Sequence, residues 1–480
     1  MFVFVLLLSF GAILESTRLL SLRDPEIWGH LQVGSWILEN KSWPQVALFS
    51  QEGNLPWMDF NWGYDVVTAA AYQVLGLRAL PAILMGFRVA LAAITFLLAG
   101  GRKNFWSAAV LSVVAQYVLF SIGPVAAFVS LLLFGTEVLL LFEIRRSGNW
   151  RLLFVLPAFF FLWANLDSGF VYGIAMYLLF LAVMAVEKMD QAAKRRWVQK
   201  PGTEIPIGTA ALAGSACAAA SLLTPYVYHP YVVFLATQFS AVNRYLPGYS
   251  PMSFRQPQDY LLLLLAMAAF LSLGILRSRD LFQLSILSVC AALSFHAQRE
   301  NWLVTLAAIT VIGQAILQKS ERAREEKGLR WSWQTLAPAG LAIAMVFLAW
   351  EFGVPRNRDA LLAKIAESYP ARASDFIRQH QLPPPLFNTY RWGSFLTWYL
   401  PEYPVAIDGR RGLYPNDEEL DYFKVMYVEI PYQSFPPMKQ ARTLLLDKAD
   451  VMGEAFRGLP GFHVAYEDDI SIVFLHELKE

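Results

Sequence analysis

Long apolar runs recur along this chain from residue 2 to residue 352, separated by short polar connections. A helix of about 20 apolar residues is needed to cross a hydrocarbon layer of about 30 Å. The runs predict membrane helices at 2–20, 62–77, 80–99, 106–121, 123–143, 152–166, 170–187, 206–224, 258–276, 280–296, 300–318 and 333–352. They are too long and continuous for barrel strands. Two connections, 21–61 and 225–257, are long and rich in aromatic, Pro and polar residues, as loops folded at a membrane interface are. After residue 353 the pattern changes. "PPLFNT" and "YPVAID" predict short buried strands, and "DDISIVFLHE" alternates as a strand does. "YRWGSFLTWYL" and "NDEELDYFKVMYVE" predict helices, the second with Asn416 or Asp417 as N-cap.

Composition sharpens this picture. Of 480 residues 56% are hydrophobic and 16% charged, against about 25% charged in a soluble domain. Residues 354–480 carry 14 Lys/Arg and 18 Asp/Glu, which leaves 25 and 20 for residues 1–353. The expected organisation is a basic membrane domain, 1–353, followed by an acidic extracytoplasmic α/β domain, 354–480. The net charge of +1 gives no sign of a nucleic-acid partner. Cys217 and Cys290 both lie in apolar runs and predict no disulfide framework. The run from Phe2 to Leu14 lacks a basic leader and a small-residue cleavage site, and is expected to stay as a helix.

Positive residues favour the cytoplasmic side. The clusters Arg145, Arg146 and Arg151; Lys188, Lys194, Arg195, Arg196 and Lys200; Arg277 and Arg279; and Arg322, Arg324, Lys327 and Arg330 fall on one side by helix counting. Loop 225–257 and the tail then face outward. If all twelve segments cross, loop 21–61 lies inside. If it lies outside, one segment does not cross, and 62–77, with Asp65, Thr68, Tyr72 and Gln73, is the least apolar.

The chemistry concentrates in "RDPEIWGHLQVGSWILEN", residues 23–40. Asp-Pro ahead of an amphipathic run starts a helix: Asp24 caps it and Pro25 takes the first turn. Glu26 and His30 are four apart and share a face. This stretch therefore reads as an interfacial helix or as the start of an active site. Arg88 and Glu137 fall inside apolar runs, where charge is costly, and are expected to pair or to face the bundle interior. In the tail, Asp408, Gly409 and Arg410 read as a tight turn or as a ligand site after a strand. Tyr390, Trp392 and Trp398 are expected to pack a helix face.

The same stretch resembles the segment after the first helix of bacterial GT-C-type membrane proteins, similar to glycosyltransferases that use polyprenyl-phosphate sugars. Relatives tend to read Asp-Pro-Asp-Leu-Trp-Trp-His-Leu with a Gly and a Trp following, and Asp24, Pro25, Trp28, His30, Leu31, Gly34 and Trp36 fit. "LWANLDSGFVYG" (162–173), "TPYVYHPYV" (224–232), "QRENW" (298–302) and "FNTYRWGSFLTWYLPEYPVAIDGR" (387–410) look like further landmarks. The resemblance implies a GT-C-like α-helical polytopic membrane protein of about 11–13 membrane helices with a small C-terminal α/β domain, in a bacterial inner membrane. It implies transfer of a sugar from a polyprenyl-phosphate donor to an extracytoplasmic glycan, lipid or protein acceptor. Asp24 matches the acidic residue implicated there as the base, with inversion expected. Glu26 and His30 would bind the sugar, orient Asp24 or hold a divalent ion. One carboxylate and one His do not make a metal site, so no metal or other cofactor is expected. Arg244, Arg255 and Arg299, in or near outward connections, are the expected cations for the lipid phosphate.

The chain also departs from that pattern. Where relatives often carry a His-Glu pair, "WMDFNWGYD" has Phe60 and Asn61, with Asp59 and Asp65 nearby to stand in. Gly29 replaces a Trp, and Glu26 stands where Asp is common. A non-catalytic relative that binds lipid-linked glycan or scaffolds an envelope complex therefore stays open beside the enzyme. A transporter is weaker, because no repeated halves are visible.

Overall fold

The computed structural model describes residues 2–193, 205–246, 248–321 and 333–477. Lys194, Arg195, Arg196, Lys200, Arg322, Arg324, Lys327 and Arg330 lie outside the described residues.

Every apolar run is a helix. In chain order α1 is Phe2–Arg18, α2 Glu26–Asn40, α3 Trp62–Leu75, α4 Ala79–Leu98, α5 Phe105–Val118, α6 Ala126–Ser147 and α7 Leu156–Leu166. They are followed by α8 Phe170–Ala192, α9 Ile207–Ser221, α10 His229–Gln238, α11 Pro257–Ile275, α12 Leu281–His296, α13 Asn301–Glu321 and α14 Trp333–Gly353. Among the described residues five helical stretches are long and apolar enough to cross a membrane, 62–98, α6, α8, α11 and 298–319, or six if the bent pair 337–353 and 358–365 is one span. The protein is an integral membrane protein of polytopic helical class. Its bundle core is built from aliphatic and aromatic side chains of α4 to α13, such as Phe134, Phe160, Trp163, Phe180 and Phe282.

Residues 62–98 form one 37-residue stretch long enough to cross once, with α3 continuing into α4. The segment 62–77 and α4 thus count together as one candidate crossing. α2, inside loop 21–61, packs on the C-terminal unit.

The C-terminal unit holds α15 Arg358–Ile365, α16 Ala371–Gln379, α17 Tyr390–Tyr399, α18 Asn416–Met426, α19 Pro436–Gln440 and α20 Val451–Ala455. Its sheet has β1 Leu386–Asn388, β2 Thr443–Asp447, β3 Phe462–Glu467 and β4 Ser471–His476, in the order β1-β2-β4-β3. β1 runs parallel to β2; β4 is antiparallel to β2 and β3. "PPLFNT" and "DDISIVFLHE" supply β1 and β4 as expected. "YPVAID" is not a strand. Its polar backbone is met instead by the Asn388 side chain, which accepts from Ala406 N–H at 2.9 Å and donates to the Ile407 carbonyl at 2.8 Å. It is also met by residues 49–51, since Val405 N–H donates to Phe49 O and Gln51 N–H to Val405 O. α18 begins after Pro415 with no side-chain cap, so neither Asn416 nor Asp417 has the predicted role.

α2 joins the two units. Its Trp28 is fully buried, stacked on Trp398 at 4.7 Å and edge-on to Tyr369 and Phe395 at 5.7 and 5.6 Å. Trp392 is fully buried in the same cluster. These aromatics pack a helix face, as expected, and the face they meet is α2. On the other side of α2, Gly34 allows close approach to α3. A Cβ there would lie 2.0 Å from the Asp65 carbonyl oxygen.

Truncating a fully buried Trp costs about 3–5 kcal/mol. Trp28→Ala is expected to lower the melting temperature of the detergent-solubilised protein and to speed proteolysis around residues 354–357. Unchanged melting and cleavage would mean that α2 does not hold the C-terminal unit.

Candidate functional site

A cavity of about 630 Å³ lies where loop 21–61, the ends of the bundle helices and the C-terminal unit meet. It brings together Asp24, Glu26, His30, Asp59, Asp65, Arg299 and Arg410 from the sequence reading. Asp408 stands just behind Arg410. Arg244 and Arg255 are not among the lining residues. Arg244 donates to the Tyr245 hydroxyl at 2.7 Å on the exposed face toward α18, and Arg255 is exposed at the start of α11. Helix counting could not place either residue relative to the cavity.

Asp24 is extended, at φ −77° and ψ 125°, and Pro25 is already helical. The Asp24 carboxylate accepts from the Glu26 N–H at 3.0 Å, as a residue capping the first turn does. Its other oxygen faces Gly123 in the turn between α5 and α6, where a Cβ would lie 2.0 Å from Oδ2. The capping role and the cavity position thus coexist. Burial, and then the charge of Glu26, push the Asp24 carboxyl up to about 7.

One helical turn on, His30 Nδ1 pairs with Asp65 Oδ1 at 2.7 Å, both side chains nearly buried. Burial opposes charge on the ring, but the Asp65 carboxylate outweighs it, and with Glu26 and Asp59 holds His30 up at about 9. Asp59 sits beside the pair. One of its oxygens accepts from Asn61 N–H at 3.1 Å, and the other is buried with no partner. Burial and the neighbouring Asp65 charge raise its carboxyl well above the usual range. Phe60 and Asn61 also line the cavity. Among the described residues no three or more metal-ligating side chains come together as a metal site.

The opposite wall is cationic. Arg410 is held by Asp408 through Nε at 3.0 Å and Nη2 at 2.7 Å, with its guanidinium 5.0 Å from the Trp57 ring. Asp408 also accepts from the Arg410 N–H at 2.9 Å, so the tight turn and the cavity site are one structure. Arg299 lies 3.4 Å from Glu300 and over the Tyr249 ring at 4.3 Å. Arg411, Tyr249 and Asp167 line the cavity too, and sequence reasoning gave them no site role. Asp167 accepts from Gly169 N–H at 2.9 Å and also takes the Ser130 hydroxyl. The signal for Arg411 was its place beside Arg410.

Inside the bundle Arg88 and Glu137 do not pair. Arg88 donates to the carbonyls of Leu119, Phe120 and Ile122 at 2.9, 2.6 and 2.8 Å. Both Glu137 carboxyl oxygens are buried without a partner.

In sequence, no family model and no curated protein matches the chain. Two solved structures are similar in fold. The apo oligosaccharyltransferase of Archaeoglobus fulgidus aligns at TM-score 0.47 and 11% identity over 92% of this chain and 69% of its own. ArnT from Cupriavidus metallidurans, bound to undecaprenyl phosphate, aligns at TM-score 0.48 and 14% identity over 98% and 97%.

Carbodiimides attack protonated carboxyls. Labelling of the Asp24 peptide is expected to fall as pH rises through about 7, and mass mapping would follow it. Labelling that ends near the ordinary carboxylate range, at about pH 4, would show that Asp24 is not held up.

Proposed function

We propose that this protein transfers a sugar from a polyprenyl-phosphate donor to an acceptor hydroxyl, with Asp24 as the base. The observation that carries the reading is the charge division of the cavity: a carboxyl held near neutrality on one wall, arginines on the other. A general base works best with a pKa near the working pH. In the step proposed, the Asp24 carboxylate takes the acceptor proton and the acceptor oxygen bonds to the anomeric carbon. The bond from that carbon to the phosphate oxygen breaks on the opposite face, and polyprenyl phosphate leaves with the electron pair. The anomeric centre inverts. Guanidinium groups stabilise the charge that grows on the leaving phosphate. The His30–Asp65 pair is a positioning element, fixing the turn of α2 that carries Asp24 and Glu26.

The direction of the site across the membrane supports an extracytoplasmic reaction. α6 runs from the cavity at Ala126 and Ser130 to Arg145 and Arg146, a length of about 33 Å for 22 residues. At that far end Arg145 pairs with Glu187 and Asp280, which brings the Arg277–Arg279 turn to the same face. A basic far end supports a cytoplasmic location for it, and hence a cavity and C-terminal unit outside.

Asp24→Asn is expected to lower sugar transfer by about 10²–10⁴-fold with normal membrane abundance. Wild-type transfer should rise with pH as Asp24 ionises through about 7, falling by about tenfold per unit well below that value. Intact function in Asp24→Asn would favour the non-catalytic binder or scaffold. The assay is transfer from a labelled polyprenyl-phosphate sugar in proteoliposomes.

A further inference from the structure

The cationic wall has a part that the proposed reaction does not by itself require. Residues 248–252 lie along the 295–299 turn. Arg299 N–H donates to Gly248 O at 2.7 Å, Gln298 N–H to Ser250 O at 3.1 Å, and Met252 N–H to Phe295 O at 3.3 Å. Gly248 at φ +88° makes the turn that permits this. The result fixes the Tyr249 ring beside Arg299. The C-terminal unit then lays Arg411 on the same ring, its guanidinium 3.7 Å from the centroid, against 4.3 Å for Arg299. Glu300 offsets the Arg299 charge at 3.4 Å, and the two guanidiniums still share one ring.

The donors point to what is missing. The Glu419 carboxylate lies within electrostatic reach of Arg411, yet the Arg411 Nη2 is buried with no hydrogen-bond partner. Arg410, next in chain, has a side chain only 8% exposed, and its Nη1 is also buried and unpartnered. Buried N–H groups are almost always satisfied. Here two adjacent guanidiniums, both lining the cavity, each keep a donor in reserve. The planar guanidinium fork matches the oxygens of phosphate and carboxylate groups.

We propose that Tyr249, Arg299, Arg410 and Arg411 form a phosphate-ester clamp, completed only when the C-terminal unit seats its 408–411 turn on loop 248–252. This rests on the donor reading above for the lipid part and on the geometry alone for the phosphate. A lipid source is favoured by α10. Its Val233, Phe234 and Thr237 line the cavity, while Val232, Leu235 and Phe239 on its other face are exposed and apolar. One helix therefore stands between the clamp and the surrounding lipid. It is braced against the clamp turn at Gly412, where a Cβ would lie 2.9 Å from Val233.

The test uses the full chain in phosphatidylcholine nanodiscs, with retention of radiolabelled polyprenyl phosphate as the readout and polyprenol as the phosphate-free control. Arg411→Gln is expected to weaken retention of the phosphate by about tenfold or more, and Arg411→Lys by less. Polyprenol retention should not change. Tyr249→Leu attacks the clamp from the other unit and should act in the same direction, with melting and gel filtration confirming that each variant is folded. If inorganic phosphate displaces the lipid with the same Arg411 dependence, the clamp stands and its ligand includes soluble phosphate esters. Equal retention by wild type and by folded Arg411→Gln and Tyr249→Leu overturns the clamp. Asp24→Asn separates the two proposals, because it should bind as wild type does while failing to transfer. Arg411-dependent retention in a wild-type protein that transfers no sugar would sink the transferase reading and leave the clamp in place.

Discussion

The close approach of α2 and α3 at Gly34 is the constraint on which the site depends. No side chain fits between Gly34 and the Asp65 carbonyl, so the two helices pack backbone to backbone. That distance lets His30, one turn before Gly34, reach the Asp65 carboxylate at 2.7 Å. With that face of α2 fixed, its opposite face must present Trp28 to the aromatic cluster of the C-terminal unit. The tight turn after α17 then comes to rest over the cavity, with Gly393 letting α17 approach the Ile407 carbonyl. Base, ion pair and arginine wall therefore share one mechanical origin.

Electrostatics explains why the arrangement needs a ligand on one side only. On the acidic wall His30 pairs with Asp65, and burial with the Asp65 charge raises the Asp59 carboxyl beside them. Asp24 is left near its midpoint at neutral pH, the state in which a carboxyl can take a proton or return it. On the cationic wall Asp408 neutralises Arg410, and Glu300 neutralises Arg299. Arg411 has the Glu419 carboxylate within electrostatic reach, but its buried Nη2 has no hydrogen-bond partner. Buried N–H groups are almost always met, so an anion entering the cavity finds a free donor there.

How far the sequence could reveal this follows from where each contact originates. Apolar periodicity located the membrane helices, because lipid and core demand the same residues. The face shared by Glu26 and His30 followed from helical spacing alone, and both do line the cavity. Whether 62–77 crossed could not be read locally: its polar residues serve α2 packing and the cavity, which are tertiary facts. "YPVAID" is as apolar as a strand, yet its partners are one Asn side chain and a loop far away in sequence. Tyr249, Arg299 and Arg411 meet only because three separate segments fold together, and no spacing rule links them. The same distance hid the error over Arg244 and Arg255, which share a loop system with Tyr249 but face outward.

The two charges buried inside the bundle show how differently such groups are used. Glu137 sits among Gly173 and Trp163 with neither oxygen satisfied, and nothing in the structure explains its retention. Arg88 spreads its donors over three carbonyls at the end of α5. The last carbonyls of a helix lack intrahelical partners, and Arg88 supplies donors to them. Immediately after them comes Gly123, the residue against which Asp24 rests. An arginine in the membrane thus pins the turn that forms one wall of the proposed base. A charge that looks expensive from the sequence is, in the fold, the support for the most sensitive contact of the site.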